Sequence, residues 1–223
     1  METLIAASRA LYRDSGIAYT QKQRRDRILL DCLTEDPIPT LDAWSSRLNI
    51  SRPCIQSDMK IVRRWLAESD IVLEAHTGKG YRLVCGELTL RKALLRWMLE
   101  AYGDELPNLL LTEEADSAGV ADPLFSFFQD ADFPALSAVV DRLLANMSVS
   151  LGRDRYIDCV LYLAILAGRI RLGHALPDTE AGCGGFLCDT QPVWRAVRLW
   201  LEERIGRSVS PAEIQVLAEE FFP

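Results

Sequence analysis

Apolar residues recur at helical spacing from Arg24 onward. Ile28, Leu29, Cys32 and Leu33 fall at i, i+1, i+4 and i+5, which places one apolar stripe on a short helix that ends before Asp36 and Pro37. Thr40 has the chemistry of an N-cap for a second short helix in which Leu41, Trp44 and Leu48 share a face, closing at Asn49, a residue that tolerates the left-handed region. Ser51 is positioned to cap a third helix, with Pro53 in the first turn where a missing N–H costs nothing. Ile55, Met59, Val62 and Leu66 are its buried stripe. The opposite face carries Arg52, Gln56, Lys60, Arg63 and Arg64.

After Asp70 the period changes from helical to alternating. Ile71, Leu73 and Ala75 alternate with Val72, Glu74 and His76; Thr77 to Gly80 supply a turn; Tyr81, Leu83 and Cys85 alternate with Arg82 and Val84. Helix, short helix, turn, longer basic helix and a two-stranded ribbon is the order of a winged helix-turn-helix, in which the third helix enters the DNA major groove. Beyond Gly86 the pattern is all helical: Leu88 to Tyr102, with Leu90, Leu94, Leu95, Trp97 and Met98 inward, then Pro134 to Met147, Tyr156 to Leu172, Gln191 to Ile205 and Pro211 to Phe222. Pro107 to Pro123 reads as turn-rich with room for one short helix, and Pro177 to Asp189, with three glycines, as a mobile loop. The expected fold is therefore mainly α. A winged helix-turn-helix of three helices plus a β-hairpin wing occupies residues 1–86, with an N-terminal helix around Ile5, Leu11 and Tyr12, and an all-helical bundle occupies residues 87–223.

Charge sharpens this division. The net charge of −7 separates into 13 Lys and Arg against 11 Asp and Glu in residues 1–86, a balance of +2, and 12 against 21 in residues 87–223, a balance of −9. A polyanion would meet the first part and be repelled by the second. No apolar run reaches the roughly 18 residues of a membrane helix, and no secretory signal is visible. Six scattered cysteines, mostly inside apolar segments, point to a reducing cytoplasm, and with only two histidines no motif needing a histidine pair in one element is possible. Cys183 and Cys188, separated by a four-residue spacer, lack a second cysteine pair, so neither a metal nor another cofactor is expected.

Two pieces together carry a resemblance: Ser51-Arg52-x-x-Ile55-x-x-Asp58-x-x-x-Val62, and Gly78-x-Gly80-Tyr81-x-Leu83 at the turn. They resemble the N-terminal module of bacterial sugar-operon regulators of the PRD-containing class, similar to the mannitol and lichenan operon activators. In these a helix-turn-helix precedes helical domains addressed by the sugar phosphotransferase system. Tyr162-Leu163-Ala164-Ile165 with Arg169, and Ser210-Pro211-Ala212-Glu213, resemble the two signatures of a PRD. The family's first phosphorylatable histidine falls at Tyr162 and its second near Glu220. A phenol that stays protonated near neutral pH and a carboxylate already negative replace two imidazoles, so the resemblance implies a degenerate PRD that does not accept phosphate. It also implies a longer parent chain, through whose further domains phosphotransferase-system proteins would act.

The resulting expectation is a sequence-specific transcriptional regulator of a sugar-utilisation operon. Arg52, Gln56 and Lys60 contact a double-stranded operator, flanked by Ser51, Pro53 and Ser57, with Arg52 or Gln56 as base readers. Lys79 at the wing tip and Arg82 on the return strand, beside His76, touch phosphates, and Arg63 and Arg64 are phosphate contacts or plain surface. A homodimer is expected because one module reads too few base pairs to outcompete bulk DNA. Two other classes compete: an RNA-binding antiterminator under PRD control, which would begin with a small β-sheet module, and a protein-interaction adaptor whose basic helix is only surface. No nucleophile or cleft chemistry favours an enzyme. His174 is expected to cap a long helix, and Asp158 with Arg169 to form an ion-paired or capping set.

Overall fold

A computed structural model describes residues 19–76, 80–103, 128, 131–177 and 190–222. Among these the chain is mainly helical, with eight helices and one antiparallel hairpin. They form two compact units, which divide between Trp97 and Met98. Residues 1–18, the hairpin turn 77–79, and the segments expected at Pro107 to Pro123 and around Gly182 to Asp189 lie outside the described residues.

In the first unit, α1 spans Gln21–Thr34 and begins three residues before the position read from apolar spacing. The reason is polar: Thr20 and Gln23 form a reciprocal capping box, Gln23 N–H donating to Thr20 Oγ1 at 3.3 Å and Thr20 N–H to Gln23 Oε1 at 3.0 Å. The stripe Ile28, Leu29, Cys32 and Leu33 is buried as expected. Helix α2, Leu41–Leu48, is capped by Thr40, which accepts from Ala43 N–H at 3.2 Å, and ends on Asn49 at φ 52°. Helix α3, Arg52–Ala67, buries Ile55, Met59, Val62 and Leu66. Ser51 occupies the N-cap position without capping; its hydroxyl donates to Cys54 Sγ at 3.2 Å instead.

The hairpin is β1, Val72–His76, paired with β2, Gly80–Val84, in the register Val72 opposite Val84 and Glu74 opposite Arg82. Leu73 faces the core, whereas Ala75, two residues on and on the same side of the strand, is exposed, because the core ends before the ribbon does. Ile38, between α1 and α2, bridges to Tyr81. Trp44 of α2 also stacks on Tyr81 at 5.8 Å, so the hairpin is tied to the helices from two sides. Helix α4, Glu87–Tyr102, buries Leu90, Leu94, Trp97 and Met98 as expected, and Arg91 in addition; Leu95 is only half-buried. Arg96 of α4 lies over Trp65 at 4.8 Å and reaches Ser69 at 3.0 Å.

The second unit contains α5, Phe133–Met147; α6, Arg153–Arg171; α7, Pro192–Ile205; and α8, Pro211–Phe221. Residues Cys159 to Ala167 are buried without interruption, because α5, α7 and α8 all pack on α6. The periodic reading placed these helices within three residues of their observed ends.

Candidate nucleic-acid interface

Helix α3 is held by two kinds of contact. Its apolar stripe seats against α1 and α2, and the carboxylate of Asp58, with no exposed surface, accepts from Arg24 Nε and from Arg25 Nε at 2.9 Å. Two guanidinium groups on α1 therefore clamp α3 from its buried side. Arg63, on the far half of α3, donates to the Leu73 carbonyl of β1, and its guanidinium lies 5.5 Å from the Tyr81 ring centroid. Arg63 is thus a brace between α3 and the hairpin, not plain surface. Helix and ribbon are presented as one body.

The outward side of α3 carries the expected contact set. Ser51, Arg52, Pro53, Gln56, Ser57 and Lys60 are all exposed, and Arg64 with them. Each step of four residues rotates about 40° around a helix, so the row Arg52, Gln56, Lys60 winds from beside the buried stripe to the side opposite it. Arg52 consequently lies close to α2, where its Nη1 is 3.2 Å from Asp42 Oδ1 and 3.4 Å from Oδ2. Lys60 is remote from this pair. No side chain caps the start of α3, where only the Ser51 carbonyl accepts, from Cys54 and Ile55 N–H at 3.0 and 3.2 Å.

Arg82 is exposed and stands opposite Glu74, which also lies 3.7 Å from His76, so both described basic side chains on this ribbon face have a carboxylate neighbour. Lys79 lies outside the described residues. Beneath the hairpin is a polar network centred on Asp31, which accepts from Arg27 Nε at 2.7 Å and from Trp44 Nε1 at 2.9 Å, with Arg47 at 3.7 Å. Burial raises the Asp31 pKa, against the pull of Arg27 and the indole. Arg47 is bound more closely by Glu35, at 2.7 Å, whose hydrogen bond raises the guanidinium pKa further.

In the second unit, Tyr162 is 1% exposed and its ring lies 5.3 Å from Phe221, next to Glu220. Of the two positions singled out in the sequence, Tyr162 belongs to the core while Glu220 is exposed. His174 follows the end of α6, its N–H donating to the Arg169 carbonyl at 2.9 Å. Asp158 and Arg169 do not pair with each other: eleven positions on one helix separate them by roughly 16 Å. Burial raises the Asp158 pKa, and Arg169 is buried. Glu213, with no exposed surface, accepts from Leu176 N–H at 2.8 Å, and Ser210 donates to the Leu176 carbonyl at 3.1 Å, fixing the chain after α6. The described residues contain no cluster of three or more metal-ligating side chains; Cys183 and Cys188 lie outside them. None of the described helices is long and apolar enough to cross a membrane.

Sequence reading missed Asp31 and Asp42, and the contacts made by Asp58, Arg63 and Glu213. Only Asp58 left a signal, since it falls three residues after Ile55 and one before Met59, at the margin of an apolar stripe where a carboxylate needs a partner. Compared with protein-family models and with curated proteins, the chain matches none.

Proposed function

We propose that the first unit is a winged helix-turn-helix that binds double-stranded DNA through the outward side of α3, and that the protein is a transcriptional regulator of a sugar-utilisation operon. The observation that carries this reading is the contrast along α3: every member of the stripe Ile55, Met59, Val62 and Leu66 is buried while Arg52, Gln56 and Lys60 are all exposed, on a helix fixed by α1, α2 and the hairpin. A side chain reads a base edge only if its backbone does not wander, and the Asp58 and Arg63 braces supply that rigidity. The uncapped start of α3 beside Arg52 offers its positive dipole end to a phosphate. Arg82 and His76 are secondary contacts, discounted by Glu74.

Helical structure from Gln21 to Ala67 favours duplex DNA over the RNA-binding antiterminator, which would begin with a small β-sheet. The second unit is read as a PRD-like bundle that pairs subunits on a symmetric operator. A phenol as buried as that of Tyr162 is inaccessible to a phosphohistidine carrier, in keeping with a bundle that has lost phosphate control.

The test is selection of bound sequences from a randomised duplex pool, followed by anisotropy titration of the enriched duplex at several salt concentrations. DNA recognition requires log affinity to fall linearly with log salt, and Arg52→Ala with Gln56→Ala to abolish enrichment. Binding to no duplex, at any salt, would turn the reading toward a protein-interaction module.

A further inference from the structure

Resting on the DNA reading above, we infer that Asp42 is a positioning residue for base recognition: it holds the Arg52 guanidinium in one orientation at the edge of α3 and so sets which base that arginine accepts. Arg52 Nη1 contacts both carboxylate oxygens of Asp42, at 3.2 and 3.4 Å, across the α2–α3 junction. Both side chains are more than half exposed, at 57% and 70%, so the pair adds little to folding. An exposed arginine otherwise samples many rotamers, and each must be frozen when it docks on a base edge.

Because the contact engages a single terminal nitrogen, the remaining donors of the guanidinium fork stay open for the two acceptors that guanine presents in the major groove. A carboxylate here also repels phosphate. It lowers affinity for DNA of any sequence while favouring the one site where Arg52 recovers two base acceptors, which is how discrimination is gained at the expense of bulk affinity. Asp42 thus acts on specificity through Arg52 and not by touching DNA.

The experiment is the same duplex selection performed with the wild-type chain, Asp42→Ala, Asp42→Asn, Arg52→Ala and the Asp42→Ala/Arg52→Ala double variant, with melting temperature recorded for each. Asp42→Asn removes the charge at the first turn of α2 but keeps an oxygen acceptor for Arg52. The expected result is that Asp42→Ala lowers preference for guanine at one operator position by about tenfold, with unchanged or tighter binding to random duplex. Asp42→Asn retains most of that preference, and Asp42→Ala has no further effect when Arg52 is already alanine. A purely structural role at the helix end would instead alter melting temperature in both Asp42 variants and leave base preference intact.

Asp42→Ala with the wild-type base preference would overturn the inference while leaving DNA binding standing. Should Asp42→Ala fail to fold, Asp42→Ser, whose hydroxyl is too short to hold the Arg52 guanidinium, takes its place, and the wild-type base preference in that folded variant would overturn the inference equally. Failure of the wild type to enrich any sequence would remove the underlying DNA reading, and the inference with it.

Discussion

The indole N–H of Trp44 donates to Asp31 Oδ2 at 2.9 Å where neither residue is more than 2% exposed. Asp31 pays for its place in desolvation, which raises its pKa above the ordinary 3.8 despite Arg27 at 2.7 Å. The folded state therefore binds this proton more tightly than the unfolded chain. Between the ordinary value of 3.8 and the higher folded one, the Asp31 contribution to stability falls as pH rises, the reverse of a salt-bridged surface carboxylate. Asp31→Asn keeps an acceptor for the indole and is expected to remove that slope, with unchanged or greater stability at pH 7. Asp31→Ala leaves the indole N–H buried without an acceptor and is expected to cost about 1–3 kcal/mol. Urea unfolding of both variants between pH 4 and 7 checks the pair; equal losses from the two would exclude this account.

Asp58 stands at the other extreme from Arg52. Its carboxylate, wholly buried, answers two arginines whose side chains are 12% and 30% exposed. Truncating one partner of such a set strands the remaining charges in a dry place, so Asp58→Ala is expected to destabilise the first unit by about 3–5 kcal/mol. Arg52→Ala, which breaks only a surface pair, is expected to shift stability by about 0.5 kcal/mol or less. Chemical denaturation followed by far-ultraviolet circular dichroism separates them, and comparable losses would show that Arg52 is structural.

The contrast marks what was legible in the sequence. Apolar periodicity located the helices and the hairpin because burial of Ile55 or Val62 follows from spacing alone. The capping box shifted the start of α1 because Gln23 is polar and invisible to that pattern. The contacts of Asp42, Arg63 and Glu213 went unseen for a different reason: each acts on a group distant in sequence, Asp42 on Arg52, Arg63 on the Leu73 carbonyl, and Glu213 on the Leu176 amide. No local pattern encodes such pairings. The candidate face of α3 was readable because exposure, like burial, follows from helical geometry.

Cysteine chemistry should divide along burial. Cys32 is buried and its thiol is pushed far above the ordinary range, chiefly by desolvation and then by the Asp31 charge; Cys159 is raised to about 12 for the same leading reason. Cys54 is exposed in the first turn of α3. Under native conditions at pH 8 the exposed Cys54 is therefore open to a disulfide reagent and is expected to label, while the buried Cys32 and Cys159 wait for unfolding. Peptide mapping after a short exposure reads this directly. Rapid native labelling of Cys159 would mean that α6 is not the enclosed helix described.

Gly80 is where the hairpin meets the helices most tightly. Its φ is +87°, and a Cβ built there would stand 2.6 Å from the Ile38 carbonyl oxygen, a backbone atom that cannot swing aside as a side chain could. The bridge between Ile38 and Tyr81 holds that carbonyl in place. Gly206 has a comparable φ of +72° but nothing within 4 Å of its absent Cβ. The two glycines therefore separate conformational strain from steric exclusion. Gly206→Ala is expected to cost about 1–2 kcal/mol from the left-handed backbone alone. Gly80→Ala carries the same strain plus a backbone collision, and should cost more, with a changed near-ultraviolet signal as Tyr81 is displaced from Trp44. If the two substitutions proved equally costly, the ribbon would have to be free to shift, and the rigid presentation of α3 and the hairpin as one surface would fail.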